Sequence, residues 1–548
     1  MVKQTSKINT PHHRPPFFLI HQGWNGRLTG FALGGSCVLG QAPLHFWPIA
    51  LLGLACLYLR LQWASTSNRP RLAGFSTAFW FALGYFGLGV FWVGSAFIAR
   101  GPAFIPVMPF MVFALAAILA LFWGLAGAIF AQLRLKPVWA QFGFVALFTL
   151  AEFARGYAFT GFPWNLTGYI FPAGGAFSQS AALWTIYGQT ALVFLLSVLL
   201  ATTLFTQAKR WAIPLFVAVL GGVFSFGHLR LAGAEIEPQD NIRLRIVSVP
   251  FEQADKFDAQ KSTDIVNAFL TESLSAGVED VTHIVWPEGA VIGLAMDNQE
   301  LLYAMGRELA FANNYQDLPV WLINSLRLEQ RPDPHSGRVI DDYYNSSVAV
   351  TFDGNGIPAI AAYNDKAKLV PFGEFIPFGK WMESKNVPLI STNLLSISPV
   401  KTKVLTRFPD LPLGSSQLCY EIIFPGFTPK SDGSERAEFI LNQSNDAWFG
   451  KTWGPAQHAN IARYRAIEEG LPIVRSASNG ISGVFDPYGR IYGEVDRKKI
   501  THIDVSLPKP LMYNTNSKLL ILVVFLINLL ITVLCATFGR GLHDRAIN

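Results

Sequence analysis

The run HIVWPEGA, residues 283–290, is a short β-rich segment closed by Pro287, with the carboxylate Glu288 at its end. Further runs of the same character are IRLRIVSV from Ile242, VWLINS from Val320, NSSVAVTF from Asn345, SSQLCY from Ser415 and EFILNQS from Glu438. Between some of them lie amphipathic helical patterns, DIVNAFLTESL from Asp264 and ANIARYRAIEEG from Ala459. Strands alternating with helices across residues 241–510 predict a layered α/β domain. In such domains catalytic side chains gather at strand ends and in the loops that follow. Three candidates stand there: Glu288, Lys366 in YNDKAKLVPFGE, and Cys419 at the end of SSQLC. Each has an ordinary alternative. A lone cysteine after a strand is about twice as often packing as nucleophile, and a single Lys or Glu in a polar loop is usually solvated surface.

Outside this domain the composition changes. The 548 residues are 51% hydrophobic, only 15% are charged, and the mean hydropathy is +0.32. The apolar residues are clustered, because a membrane crossing needs about 20 of them in a row. Spans are expected near 28–43, 46–60, 72–98, 102–131, 138–154, 182–205, 211–228 and 517–538. The first two are short, divided by Gln41, Pro43, His45 and Pro48, and a re-entrant pair is the alternative for them. The expected division is a tail 1–27, a membrane domain 28–230 of about seven helices, the domain 241–510, a last helix 517–538 and a tail 539–548. No small-residue cleavage site follows the polar start, so the first span is expected to be retained.

Charge gives the orientation. With eight spans, Lys3, Lys7, Arg14, Arg27, Arg60, Arg69, Arg71, Arg134, Lys136, Lys209, Arg210, Arg540 and Arg545 fall on one side, and the opposite short loops hold only Arg100 and Arg155. The positive-inside rule makes the first side cytoplasmic and turns the α/β domain outward. The net charge of +6 is absorbed by these short loops. No basic patch interleaved with aromatics appears, and no nucleic-acid partner is expected. Of the four cysteines only Cys419 lies in the α/β domain, which excludes a disulfide within it, and no His/Cys spacing suggests a metal. On the outer side EFARGYAFTGFPWNLTGY, from Glu152, sets Glu152 and Arg155 at helical spacing. Two readings stand about level: a self-neutralising pair within an aromatic belt, or a surface that guides a lipid to the domain.

The words around the three candidates carry more than the residues alone. WPEGA, KLVPFGE, LCYE and NQSNDAWFG, followed by VRSASNGISGVFDPYGR from Val474, resemble the carbon–nitrogen hydrolase (nitrilase) superfamily in the order Glu, Lys, Cys. With the apolar helices, TGFPW and YYNS from Tyr343, the chain more closely resembles the bacterial apolipoprotein N-acyltransferases over nearly its whole length. The resemblance implies a multi-pass α-helical membrane domain joined to a nitrilase-like α-β-β-α sandwich. It implies a bacterial inner-membrane protein with its catalytic domain in the periplasm.

It also implies the chemistry. An acyl chain passes from a phospholipid to Cys419 as a thioester, and then to the α-amine of a diacylglyceryl-cysteine at a lipoprotein's N-terminus. Glu288 is the expected general base, beside Trp286 in a partly apolar pocket, and Lys366 the expected oxyanion stabiliser. Glu374 and Glu421 match supporting positions, with a structural hydrogen-bonding role weighed about equally. Tyr420 and Phe424 are expected to line the pocket near the thiol. Asn442, Asn445, Asp446 and Trp448 are read as scaffold in preference to pocket wall. No metal or organic cofactor is required, and a monomer is expected. The segment VSVPFEQADKF departs from the family's usual QGNxxQxxKW-like stretch: Pro250 replaces Asn and Phe257 stands where Trp is usual. Gly289 stands where a small hydroxyl residue is common. These departures leave open a paralogue with another acceptor. A membrane-anchored amidase and a non-catalytic lipid-binding scaffold are the alternatives from other classes.

Overall fold

The computed structural model describes residues 23–205, 209–314, 317–332, 339–376, 397–429, 435–512 and 516–540. The expected tails at 1–22 and 541–548 lie outside the described residues. The membrane part comprises α1 (Gly23–Cys37), α2 (Trp47–Ala64), α3 (Pro70–Gly89), α4 (Gly94–Ala99), α5 (Met108–Leu133), α6 (Pro137–Tyr157), α7 (Ala181–Phe205) and α8 (Lys209–Ala232). Proline opens α3 and α6 at the first helical position, where its missing N–H costs nothing.

Among the described residues seven helices are long and apolar enough to cross a membrane, six of them before the α/β domain and one after it. The helix expected at 28–43 is the exception, since α1 has 15 described residues, beginning at the first residue described. It is nonetheless part of the bundle. A Cβ on Gly34 would meet the Phe81 carbonyl oxygen at 1.8 Å, and one on Gly84 the Phe31 oxygen at 2.0 Å, so α1 and α3 pack backbone to backbone through glycine. The expected single span 72–98 is also broken. Helix α3 stops at Gly89, where a side chain would strike Asn165 Nδ2 at 2.2 Å, and a 3₁₀ turn and the short α4 follow.

The α/β domain is a sandwich of two six-stranded sheets. One is ordered β12-β1-β2-β3-β4-β5 and contains β1 (Pro238–Ser248), β2 (His283–Val285), β3 (Val320–Pro332), β4 (Val339–Phe352), β5 (Pro358–Asp365) and β12 (Thr501–Pro508). The other is ordered β11-β10-β9-β8-β7-β6 and contains β6 (Thr406–Arg407), β7 (Leu413–Ser416), β8 (Phe439–Asn445), β9 (Ile473–Ser478), β10 (Gly483–Phe485) and β11 (Ile491–Glu494). Alternation along the strands builds the layers. Leu244, Ile246, Val285 and Leu322 meet Phe439, Leu441, Val474 and Val484 between the sheets. The opposite face of the first sheet, with Val247, Ile284, Trp321 and Ile323, is covered by α9 (Ala259–Ser273) and α10 (Gln299–Ala312). The outer layer on the second sheet is α11 (Gly454–Glu469), and its apolar residues share one core with the membrane helices.

That shared core makes α11 the seam between bundle and sandwich. Trp164 Nε1 donates to Gln457 Oε1 at 2.8 Å, Ala173 N to Asn460 Oδ1 at 3.0 Å, and Tyr464 OH to the Phe171 oxygen at 2.9 Å. Helix α7 departs from helical geometry at Trp184 and Thr185, and the first amide after this kink, Ile186 N, is capped by Glu468 Oε1 at 2.6 Å. The last helix, α12 (Ser517–Phe538), turns Leu519, Leu522, Leu526 and Leu530 outward, a face suited to lipid.

Glu152 and Arg155 decide between their two readings here. They form a fully buried ion pair, with Trp123 donating to the same carboxylate. Arg155 Nη1 then holds the carbonyls of Phe162 at 2.5 Å and Trp164 at 2.7 Å. The pair is a strut that shapes the TGFPW loop, and that loop serves as a dock for the sandwich. Its neighbours Tyr157 and Phe159 are exposed.

Candidate active site

The three strand-end candidates belong to both sheets. Glu288 follows β2, Lys366 follows β5, and Cys419 stands three residues beyond β7. The fold brings the first two into contact. Lys366 Nζ lies 3.3 Å from Glu288 Oε1 and 2.7 Å from Glu374 Oε1, so one buried ammonium bridges two carboxylates. Asn345, on β4, donates its amide to both, at 2.7 Å to Glu288 and 3.2 Å to Glu374. The other oxygen of Glu288 accepts from Asn445 N at 3.1 Å, and the other oxygen of Glu374 from Val370 N at 2.8 Å. Each carboxylate is thereby fixed in orientation from both of its oxygens.

Burial alone would strip the proton from Lys366, but Glu288 and Glu374, with Cys419 beyond them, outweigh it and hold the ammonium charged well above the ordinary lysine range. Cys419 is pulled the other way. Burial, then the Glu288 charge, raise its thiol, with Asp446 adding to them, while Lys366 and contact with the Ser444 hydroxyl oppose them. The charges of Glu288 and Lys366 thus act on this thiol in opposite senses, the first against its ionisation and the second for it.

The backbone at Cys419 is left-handed, with φ +44°. The residue opens the 3₁₀ turn Cys419–Ile423 directly after Leu418, so the chain reverses at the sulfur. Glu421 secures the turn. Its carboxylate accepts from Leu418 N at 2.8 Å, Ala367 N at 2.6 Å, Lys368 N at 3.1 Å and Lys403 Nζ at 3.0 Å. It therefore stitches the Cys419 turn to the loop that carries Lys366, and of its two expected roles the structural one has the contacts. Ser444 Oγ donates to Asp446 Oδ1 at 2.7 Å, and Asp446 is held by His458 Nδ1 at 2.9 Å and Arg475 Nη2 at 2.7 Å. Burial works against the Asp446 charge, yet Arg475 and His458 overcome it and keep the carboxyl down at about 2. Asn442 donates to the Gln417 carbonyl at 2.6 Å, as a scaffold residue does.

The expected aromatic neighbours are not all where the sequence reading put them. Trp286 is 1% exposed and faces the core behind Glu288, donating to Ser273 Oγ at 2.9 Å and packing on Phe269 and Trp321. It supports the site from behind and is no part of a pocket wall. Tyr420 reaches the membrane side, where its hydroxyl donates to the Gly161 carbonyl at 2.7 Å, and its ring packs on Phe162 and Phe424. The residue after the candidate nucleophile thus anchors it to the TGFPW loop. Phe257 is 69% exposed, and the buried residues of its turn are Gln253, which accepts from Asn445 Nδ2, and Lys256, both of which the sequence reading passed over. Asn345 was missed too, although the run YYNS contains it. A buried polar residue within a strand was the available signal. Pro250 is exposed.

Two family models match the chain in the two parts that the fold separates. The Apolipoprotein N-acyltransferase N-terminal domain matches residues 33–199, and Carbon-nitrogen hydrolase matches residues 251–515. The chain is 35% identical to an apolipoprotein N-acyltransferase of Caulobacter vibrioides over 475 residues, covering 85% of this chain and 86% of the relative. It is 32% identical to that of Rhodopseudomonas palustris over 506 residues, covering 90% and 91%. With membrane helices, hydrolase sandwich and near full-length similarity in agreement, the chain belongs to the apolipoprotein N-acyltransferase family, and is a membrane-embedded acyltransferase.

Proposed function

We propose that the chain acylates lipoproteins in two steps through a thioester on Cys419. In the first, Glu288 takes the thiol proton and the sulfur attacks an ester carbonyl of a phospholipid. Lys366 faces the oxyanion, and a lysophospholipid leaves with the proton. In the second, the α-amine of a diacylglyceryl-cysteine attacks the thioester, Glu288 takes the amine proton, and the Cys419 thiol is restored as the amide forms. Glu374 keeps Lys366 charged and aimed.

The observation that carries this reading is the position of the nucleophile turn. Cys419 is coupled to Glu288 and Lys366 on one side, and its neighbour Tyr420 is bonded to a membrane loop on the other. Both substrates of such a reaction are tethered in a bilayer, so a site at the bundle seam meets them without lifting them out. A hydrolase of small polar amides has no need of this arrangement. Incubation with phospholipid and a diacylated lipopeptide should give N-acyl lipopeptide in step with lysophospholipid. Free fatty acid accumulating at one rate with and without the lipopeptide would make the chain a hydrolase.

The site is proposed to face the periplasm from the inner membrane. Counting α1 with the seven longer helices gives eight crossings and both termini on the cytoplasmic side. Arg60 is buried and donates to the Gly26 carbonyl at 2.5 Å, and Arg155 is consumed by its ion pair. Setting one aside from each group leaves twelve cations against Arg100 alone in the short outer loops, a stronger bias than before. Reporter fusions near residue 235 should read periplasmic, and fusions at the C-terminus cytoplasmic. A cytoplasmic reading near residue 235 contradicts both the orientation and the access to outer-leaflet lipid.

A further inference from the structure

Lys256 has no task in the reaction as written above, yet it is built into the site. It lies in the turn Gln253–Phe257 and is only 7% exposed. The acids of its own turn are engaged elsewhere, Asp255 with Lys261 and Glu252 with Lys451. Its ammonium sits over the Phe251 ring, 4.5 Å from the centroid. The charged groups that face it from other elements are Glu288 and Cys419, with Lys366 and Glu374 beyond Glu288.

The glycine after Glu288 explains where this ammonium has gone. A Cβ built on Gly289 would lie 2.3 Å from Lys256 Nζ, so the amine fills the space that a side chain at 289 would occupy. Gly289 also has φ +75°, a conformation that glycine adopts without strain. The small hydroxyl residue that the resemblance led us to expect would displace Lys256. Asn445 completes the arrangement. With its side-chain amide turned to suit its neighbours, its oxygen accepts from Lys256 Nζ and from Trp448 Nε1, each at 3.2 Å. Its backbone N–H meanwhile donates to Glu288.

We propose that Lys256 is a positioning residue of the acyl-transfer site, taking the place of a side chain at 289, bracing Asn445 behind Glu288 and setting a cation toward Cys419. This rests on the Glu288–Lys366–Cys419 reading. Burial depresses the Lys256 ammonium to about 7, against the pull of Glu288 and Cys419. The residue is therefore a cation below that pH and a neutral amine above it, and its electrostatic help belongs to the acid side of the profile.

The test uses the full-length protein in detergent and follows alkylation of Cys419 by iodoacetamide against pH, read by peptide mass. Lys256→Met keeps the length and removes the charge. It should lower the alkylation rate about tenfold on the acid side of the lysine's own midpoint, with the two curves meeting more than about one pH unit above it. Gly289→Ala moves the ammonium from its place and should lower the acid-side rate too, and the double variant should match Lys256→Met alone. A Lys256→Met rate reduced equally at every pH, or effects that add in the double variant, would overturn the proposal. Where one variant does not fold, the other reads the same acid-side loss. Loading of wild-type Cys419 by phospholipid is followed in parallel. If it fails while alkylation proceeds, the acyl-transfer reading falls, and the pH comparison still decides the role of Lys256.

Discussion

Replacing Cys419 with alanine should abolish lipopeptide acylation, lowering the rate by at least about 10⁴-fold, because nothing else in the site can carry the acyl chain between donor and acceptor. The protein should still fold. The turn is held by the four bonds to Glu421, none of which uses the sulfur. A second replacement separates chemistry from strain. At φ +44° any side chain costs energy and glycine does not. Cys419→Gly should be as inactive as Cys419→Ala and more stable than it by about 1 kcal/mol. Thermal unfolding of the two dead variants measures the difference, and equal midpoints would mean that the turn is unstrained.

The second large effect is expected at the carboxylate–ammonium cluster, where two replacements should fail for different reasons. Glu288→Gln keeps the shape and loses the base, so Cys419 should no longer load, with a fall of at least about 10²–10⁴-fold. Lys366→Met should be as inactive, and it should also destabilise the fold. It leaves Glu288 and Glu374 facing each other in a buried site, and removing one member of a buried ion pair costs about 3–5 kcal/mol. Phospholipid loading and thermal unfolding, measured on both variants, check this. A Lys366→Met protein as stable as Glu288→Gln would mean that the bridge contributes little to folding. Loading of Glu288→Gln at the wild-type rate would remove Glu288 from the mechanism.

How much of this was legible beforehand depended on what each residue answers to. The sandwich was readable because its strands are local: HIVWP, VWLINS and EFILNQS each became a strand where the apolar run stood. Helix α12 ran over the expected 517–538, because a lone apolar stretch in a polar context has clear ends. The break at Gly89 was not readable, since a side chain there would meet Asn165 Nδ2, a partner far along the chain that one segment does not encode. The motif words pointed to Glu288, Lys366 and Cys419, and the fold joined the first two directly. Trp286 and Phe257 went astray because a motif gives proximity along the chain without direction. Trp286, just past the end of β2, is taken up by the core against Phe269 and Trp321, and in the turn Gln253–Phe257 the burial falls on Gln253 and Lys256. Glu152 and Arg155 had the right spacing to pair. That the pair would hold a docking loop depended on Phe162 and Trp164 folding back over it.

The central claim is that an acyl group rests on Cys419 between two substrates. Incubating the purified protein with phospholipid alone, and then digesting it, should give a Cys419 peptide heavier by one acyl group, and hydroxylamine should remove that mass. A diacylated lipopeptide with a free N-terminal amine should clear it too and emerge N-acylated, whereas the same lipopeptide with its amine blocked should leave the adduct standing. An unmodified Cys419 peptide under conditions where the complete reaction runs, or an adduct that the blocked lipopeptide discharges as quickly as the free one, would contradict the account.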